Sequence, residues 1–236
     1  MGWLGAFAYA HRGLHDATRV ENSPSAFRAA IAAGLGIECD VQASADGQAM
    51  VFHDWELDRL TAERGPLRAR SAEALGRLAL AGGEDRIWTL GELLAEIAGA
   101  VPLLVEIKSR RQVPIAPLCL AVRAALTGYG GRAAVMSFDP RVVRWFRRSA
   151  PALVRGLVVT EEGQRGLRGR CRRHLALWHA RAEFLAYDVR DLPSRFAAAQ
   201  RARGLPLLTW TVRTPALRER ARLHADAPIA EGAGLT

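Results

Sequence analysis

Short apolar runs alternate along this chain with longer stretches in which apolar residues recur every three or four positions. The short runs predict strands at 7–11, 36–42, 50–53, 103–108, 133–138, 153–159, 184–187, 207–212 and 227–230. The longer ones predict helices at 26–33, 90–98, 115–127, 140–149, 170–182, 193–203 and 215–224, with a short helix around 71–78. Local punctuation agrees. Ser23-Pro24, Asp139-Pro140 and Thr214-Pro215 each place a capping residue before a proline at the first helical position, and Thr89 with Glu92 forms a capping box. Asp46-Gly47 is a hairpin signal that returns 50–53 beside 36–42. Setting that return arm aside leaves eight strands, each beside a helix. Such alternation predicts a parallel sheet with right-handed crossovers, and eight units in 236 residues predict an α/β fold of one (β/α)8 TIM barrel spanning 1–236. A β-hairpin and a short insertion at 55–87 follow the second strand, with loops marked by Glu63-Arg64-Gly65-Pro66 and Gly82-Gly83. An open doubly wound sheet is the competing architecture, but no glycine-rich nucleotide loop follows the first strand.

Half of the residues are hydrophobic, enough for a large core, and no low-complexity linker divides the chain. Cys39, Cys119 and Cys171 are odd in number and lack metal-ligand spacing, which predicts reduced thiols and a cytoplasmic location. No basic, apolar leader and no run of about 18 apolar residues occurs, so no stable membrane insertion is expected. The net charge of +9 suits an anionic partner. Lys108 is the only lysine, however, and 32 of the 33 basic residues are arginine, a skew that mostly describes a solvated surface. The arginine-rich run 165–173 lacks interleaved aromatics, so a nucleic-acid partner is not expected.

The candidate chemistry begins in Gly36 to Asp54. Side chains alternate along a strand, so Glu38 and Asp40 share one face of 36–42 while Ile37, Cys39 and Val41 share the other. Two like charges that close need a positive neighbour, and a divalent cation is the usual one. The single compact ammonium of the chain, Lys108, follows Glu106 by two residues. A barrel builds its active site where strands end. His11-Arg12 closes the first strand, Glu38 and Asp40 lie late in the second, Glu106 and Lys108 close 103–108, Trp210 lies late in 207–212, and His53 ends the hairpin's return arm.

These residues match a family. Ala10-His11-Arg12-Gly13, Glu21-Asn22 before a helix, Glu38-x-Asp40, Asp46-Gly47, His53-Asp54, Leu57-x-Arg59-x-Thr61, Glu106-x-Lys108 and Trp210-Thr211-Val212 resemble, in order and spacing, the glycerophosphodiester phosphodiesterases. The resemblance implies a TIM barrel that uses a divalent metal to hydrolyse small-molecule glycerophosphodiesters to glycerol 3-phosphate and an alcohol. The chain departs from the family pattern at Arg213, where Asn is usual, and at Glu231, where Asp is usual.

The chemistry also follows from the residues. A phosphodiester monoanion repels a nucleophile, so its hydrolysis needs positive charge at the non-bridging oxygens together with an acid and a base. Glu38, Asp40 and Glu106 offer carboxylate oxygens for Mg²⁺ or Ca²⁺, with Mn²⁺ a further candidate, and Arg12 and Lys108 offer phosphate contacts. His11 and His53 offer the acid and the base. The attacking group is either the glycerol 2-hydroxyl or water. Trp210 is either core or a wall for the substrate's organic part. Glu21 and Asn22 either cap the first helix or hold the His11 loop, and Asp54 either orients His53 or caps the next turn. His15, His174, His179 and His224 are ordinary surface or core histidines. The alternative activity is cleavage of lipids at a membrane surface, lysophospholipase D-like or sphingomyelinase D-like. It would draw on the helix at 140–149, although that helix also reads as an outer barrel helix with its arginines in water.

Overall fold

A computed structural model describes residues 2–81 and 83–235; Gly82, half of the Gly82-Gly83 loop signal, lies outside the described residues. Nine strands are seen: β1 (Tyr9–His11), β2 (Gly36–Ala43), β3 (Ala49–Val51), β4 (Leu103–Ile107), β5 (Ala133–Ser137), β6 (Val154–Val159), β7 (Phe184–Asp188), β8 (Leu207–Val212) and β9 (Ala227–Ala230). They form one sheet in the order β1-β9-β8-β7-β6-β5-β4-β2-β3, and β1 also pairs with β2, so the order closes. The fold is the predicted TIM barrel of eight parallel strands, with β3 added as the hairpin arm. The helices are α1 (Pro24–Ala32), α2 (Ala72–Gly76), α3 (Leu90–Ile97), α4 (Ala116–Leu126), α5 (Pro140–Ser149), α6 (Leu167–Ala180), α7 (Arg195–Ala202) and α8 (Pro215–His224). Among the described residues, no helix is long and apolar enough to cross a membrane.

The chain divides into two compact units, residues 10–133 and residues 134–236 with 1–9. In the first, β2 runs parallel to β4 with Asp40 opposite Glu106. β3 returns antiparallel, pairing Val41 with Val51 and Ala43 with Ala49. The connecting loop is therefore residues 44–48, wider than a two-residue Asp46-Gly47 turn. Side chains explain the width: Gln48 N donates to Ser44 Oγ at 2.9 Å, and Ser44 Oγ and Ala72 N both donate to Asp46 Oδ1, at 2.6 and 2.9 Å. These bonds offset the cost of a longer loop and tie it to α2. The insertion has its own small core, in which Leu57, Leu60, Leu67, Leu75, Leu80 and Ile87 pack with Met50 and Phe52. The caps read from sequence are present. Ser23 Oγ accepts from Ala26 N, and Thr89 and Glu92 close a capping box.

In the second unit, β6 to β9 run parallel in sequence order. Leu157, Val159, Leu185, Tyr187 and Leu207 form a core with Val143 of α5 and Phe196 of α7. α5 buries Val142, Val143 and Phe146 and exposes Arg141, Arg147 and Arg148, the arrangement of an outer barrel helix. α6 begins at Leu167 rather than at 170. Its N-cap is Gly166, which offers no capping side chain, so nothing in the local sequence marks the start.

Candidate active site

The acidic centre is assembled from β2 and β4, parallel neighbours in the unit 10–133. Glu38 and Asp40 point the same way from β2, and the register with β4 sets Glu106 beside Asp40. Ligand oxygens of Glu38, Asp40 and Glu106 all lie within 4.8 Å of one another. Their residues are only 1%, 1% and 8% exposed. Three carboxylates that close in so little water need compensation.

Two cations supply part of it. Lys108 Nζ lies 2.7 Å from Asp40 Oδ1 and 2.6 Å from Glu106 Oε1. Arg12 Nε stands 3.1 Å from Asp40 Oδ2 without hydrogen-bond alignment, and the Arg12 backbone N–H donates to Glu38 Oε2 at 3.1 Å. Burial pushes the Asp40 carboxyl up, but Lys108, Arg12, His53 and His11 outweigh it and hold it below the usual carboxylate range. Both histidines therefore lie within electrostatic reach of Asp40. The opposite holds at Glu38, whose carboxyl is driven well up by burial and then by Asp40 and Glu106, against Arg12 and Lys108. Fully ionised, the three acids would carry one more negative charge than the two cations offset. An all-oxygen donor set with that excess fits a hard divalent cation of the Mg²⁺, Ca²⁺ or Mn²⁺ kind.

The loop after β1 is shaped for this contact. Arg12 has φ +58° and Asn22 φ +54°, conformations sparsely populated by residues with a side chain. Asn22 Nδ2 donates to Asp40 Oδ2 at 3.0 Å, and Asp40 N donates to Asn22 Oδ1 at 3.3 Å. Gly13, with φ +81°, is required: a Cβ there would lie 2.9 Å from the Ala26 carbonyl carbon. Glu21 and Asn22 hold the His11–Arg12 segment, while Ser23 does the capping of α1.

His53 lies just past β3, and its Nδ1 is 2.7 Å from Asp54 Oδ1. Of the two roles open to Asp54 in the sequence, the contact to His53 is present. Arg59 ties this pair to the β1 loop, donating to Asp54 and to both oxygens of Glu21, which also pairs with Arg12 at 2.7 Å. The chain Arg12–Glu21–Arg59–Asp54–His53 is thus continuous. Gln42 Nε2 donates to the carbonyls of Phe52, His53 and Asp54 at 3.1, 2.9 and 2.6 Å, fixing the backbone that carries the histidine. Sequence reasoning missed Gln42 and gave Arg59 no role. The alternation Glu38-x-Asp40-x-Gln42 puts Gln42 on the same face of β2 as the acids, and that signal would have found it. A cleft of about 410 Å³ opens here, lined by His53, Asp54, Trp55, Glu56, Asp58, Arg59, Lys108 and Arg110. Arg110 stacks over the Trp55 ring at 4.2 Å.

Trp210 belongs to the other unit. Its Nε1 donates to Ala186 O at 3.0 Å and its ring meets Phe138 edge-on at 5.3 Å. Arg213 and Glu231, the two departures from the family pattern, form an ion pair with each other at the ends of β8 and β9.

Buried carboxylates beside fixed cations suit chemistry on a phosphate ester. Residues 11–230 match the Glycerophosphoryl diester phosphodiesterase family, and the chain belongs to it. A glycerophosphodiester phosphodiesterase of Caldanaerobacter subterraneus subsp. tengcongensis is 30% identical over 220 residues, 86% of this chain and 84% of that protein. Two solved structures share the fold. An Oleispira antarctica phosphodiesterase in complex with the product sn-glycerol-3-phosphate superposes with a TM-score of 0.81 at 22% identity, covering 95% of this chain and 92% of that one. A Thermotoga maritima glycerophosphodiester phosphodiesterase gives 0.76 at 24% identity, covering 95% and 93%. The expected class, glycerophosphodiester phosphodiesterase, is borne out.

Proposed function

We propose that the chain hydrolyses small glycerophosphodiesters to glycerol 3-phosphate and an alcohol, with a divalent cation held by Glu38, Asp40 and Glu106 and with His11 and His53 exchanging the protons. The observation that carries the metal reading is the uncompensated charge of the buried triad, which leaves Glu38 with a strongly raised pKa in the absence of a cation. When bound, a divalent cation supplies charge stabilisation to the phosphate oxygens. The product held by the Oleispira antarctica enzyme supports glycerol 3-phosphate as the retained half.

The chain's own residues do the rest. Arg12 and Lys108 are half-buried beside the acids and bring fixed positive charge to where non-bridging oxygens would sit. Asp54 engages Nδ1 of His53, which leaves Nε2 as the atom that takes or gives a proton. One histidine accepts the proton of the attacking water or glycerol 2-hydroxyl as its oxygen bonds to phosphorus, and the other protonates the leaving alkoxide as the P–O bond to it breaks. Gln42, Arg59 and Glu21 keep His53 and Arg12 in place through the bonds described above. No feature of the acidic cluster favours a lipid over a small diester.

The test is turnover of glycerophosphoethanolamine or glycerophosphocholine before and after EDTA. Activity should disappear and return with Mg²⁺, Mn²⁺ or Ca²⁺; full turnover in EDTA would remove the three-carboxylate metal site from the mechanism.

A further inference from the structure

α6 has two apolar faces, and only one is used inside the protein. Gly169, Arg173 and Ala180 lie on its buried side. On the opposite side Leu167, Cys171, Leu175 and Trp178 follow one another at spacings of four, four and three, a continuous helical stripe. Leu167, Leu175 and Trp178 are 76%, 64% and 63% exposed, and Cys171 is exposed too. A stripe of that kind on a surface helix marks contact with something apolar.

The flanks say what kind of partner. Arg168 and Arg172 line one side of the stripe, Arg170 and His174 the other, and all four are exposed. Arg168, Arg170 and Arg172 make no side-chain ion pair among the described residues. α6 contains no Asp or Glu, and neither does its packing neighbour α5, which adds Arg141, Arg147 and Arg148 to the exposed charge. The cavity of about 590 Å³ beside the stripe is of mixed charge, since Glu161 and Asp191 line it and pair with Arg173 and Arg165, so the unpaired charge lies on the flanks of the stripe itself. A second copy of the same face would set arginine against arginine, so self-association through it is disfavoured. A nucleic acid would meet the arginines but leave the leucines without a partner. Leucines and a tryptophan between guanidinium groups match a surface that is apolar just beneath a layer of negative charge.

We propose that the outer face of α6 docks this enzyme peripherally on an anionic phospholipid bilayer. Leu167, Leu175 and Trp178 enter the headgroup boundary, and Arg168, Arg170 and Arg172 pair with headgroup phosphates. The docking goes beyond the hydrolytic reading and does not depend on it: it states where the chain sits, whereas the acidic centre states what it cleaves.

Co-sedimentation with vesicles tests it. The full chain should pellet with phosphatidylcholine vesicles containing about 30 mol % phosphatidylglycerol and stay in solution with phosphatidylcholine alone, and rising salt should weaken the binding. Leu175→Glu combined with Trp178→Glu, and separately Arg168→Gln combined with Arg172→Gln, should each lower the bound fraction at least about tenfold. Turnover of glycerophosphoethanolamine in solution should be unchanged in both, which also verifies folding. No pelleting of the parent chain with anionic vesicles overturns the proposal, as does binding that survives both double substitutions. A dimer in solution that dissociates on Leu175→Glu/Trp178→Glu would assign the stripe to self-association instead.

Discussion

The carboxylate network around Glu161 in one unit and that around Glu38, Asp40 and Glu106 in the other differ in charge balance. Around Glu161 the account closes. Oε1 accepts from Tyr187 Oη at 2.5 Å and Ser194 Oγ at 2.6 Å, and Oε2 meets Arg173 Nη2 at 3.0 Å. One acid faces one cation, and both its oxygens are occupied. Around Glu38, Asp40 and Glu106, three acids face two cations, and burial with mutual repulsion drives the Glu38 carboxyl up. A balanced buried pair fixes structure; an unbalanced one stores affinity for a further positive charge.

Substitutions and metal removal should pull the two networks apart, and the largest effect belongs to the unbalanced one. Chelation should lower turnover at least about 10³-fold, because a cation at the phosphate is worth several kcal/mol of transition-state stabilisation. His11→Ala or His53→Ala should each lower kcat at least about 10²-fold with metal present, measured by release of glycerol 3-phosphate. Parent-like turnover in a protein lacking both histidines would require other proton carriers. Asp54→Asn should cost about 10- to 100-fold, since the ring would lose the partner that orients it.

Glu161→Gln acts in the other direction. It should leave kcat of the folded protein unchanged and reduce stability by about 1–3 kcal/mol, visible as a lower Tm, because Arg173 loses its buried partner. A loss of kcat without a loss of Tm would place Glu161 in the chemistry and collapse the contrast. The smallest effect is a pH dependence. The folded-state pKa of Glu38 lies above the unfolded value, so its stabilising contribution is complete below the ordinary carboxylate range and is lost as pH rises through the folded value. Metal-free protein should therefore lose Tm as the pH rises above the ordinary carboxylate range, a loss that Glu38→Gln does not show. Added divalent cation should reverse it in the parent chain only. Equal pH slopes in the two proteins would mean that the triad is already neutralised without metal.

Much of this was legible in the chain. The alternation of apolar runs and helical stretches, with Ser23-Pro24, Asp139-Pro140 and Thr214-Pro215 as helix starts, is local information, and the corresponding strands and helices stand within a few residues of where the pattern puts them. The candidate acids were visible for the same reason: period-two alternation puts Glu38 and Asp40 on one face whatever the rest of the chain does. The start of α6 was not legible, because Gly166 carries no capping signal.

The sequence by itself determined the barrel's order of elements, the types of side chain at the strand ends and the family to which they point, because all three are written in spacing along one chain. The tertiary structure decided what those side chains do to one another. The register of β2 against β4 sets Glu106 beside Asp40 and turns two acids into an unbalanced three. The bridge from Arg12 through Glu21 and Arg59 to Asp54 joins residues up to 47 positions apart, from 12 to 59, that no local pattern connects. The second apolar face of α6 likewise becomes visible only once packing has shown which face is already covered. Periodicity reports that a helix has apolar residues; only burial reports which of them still lack a partner.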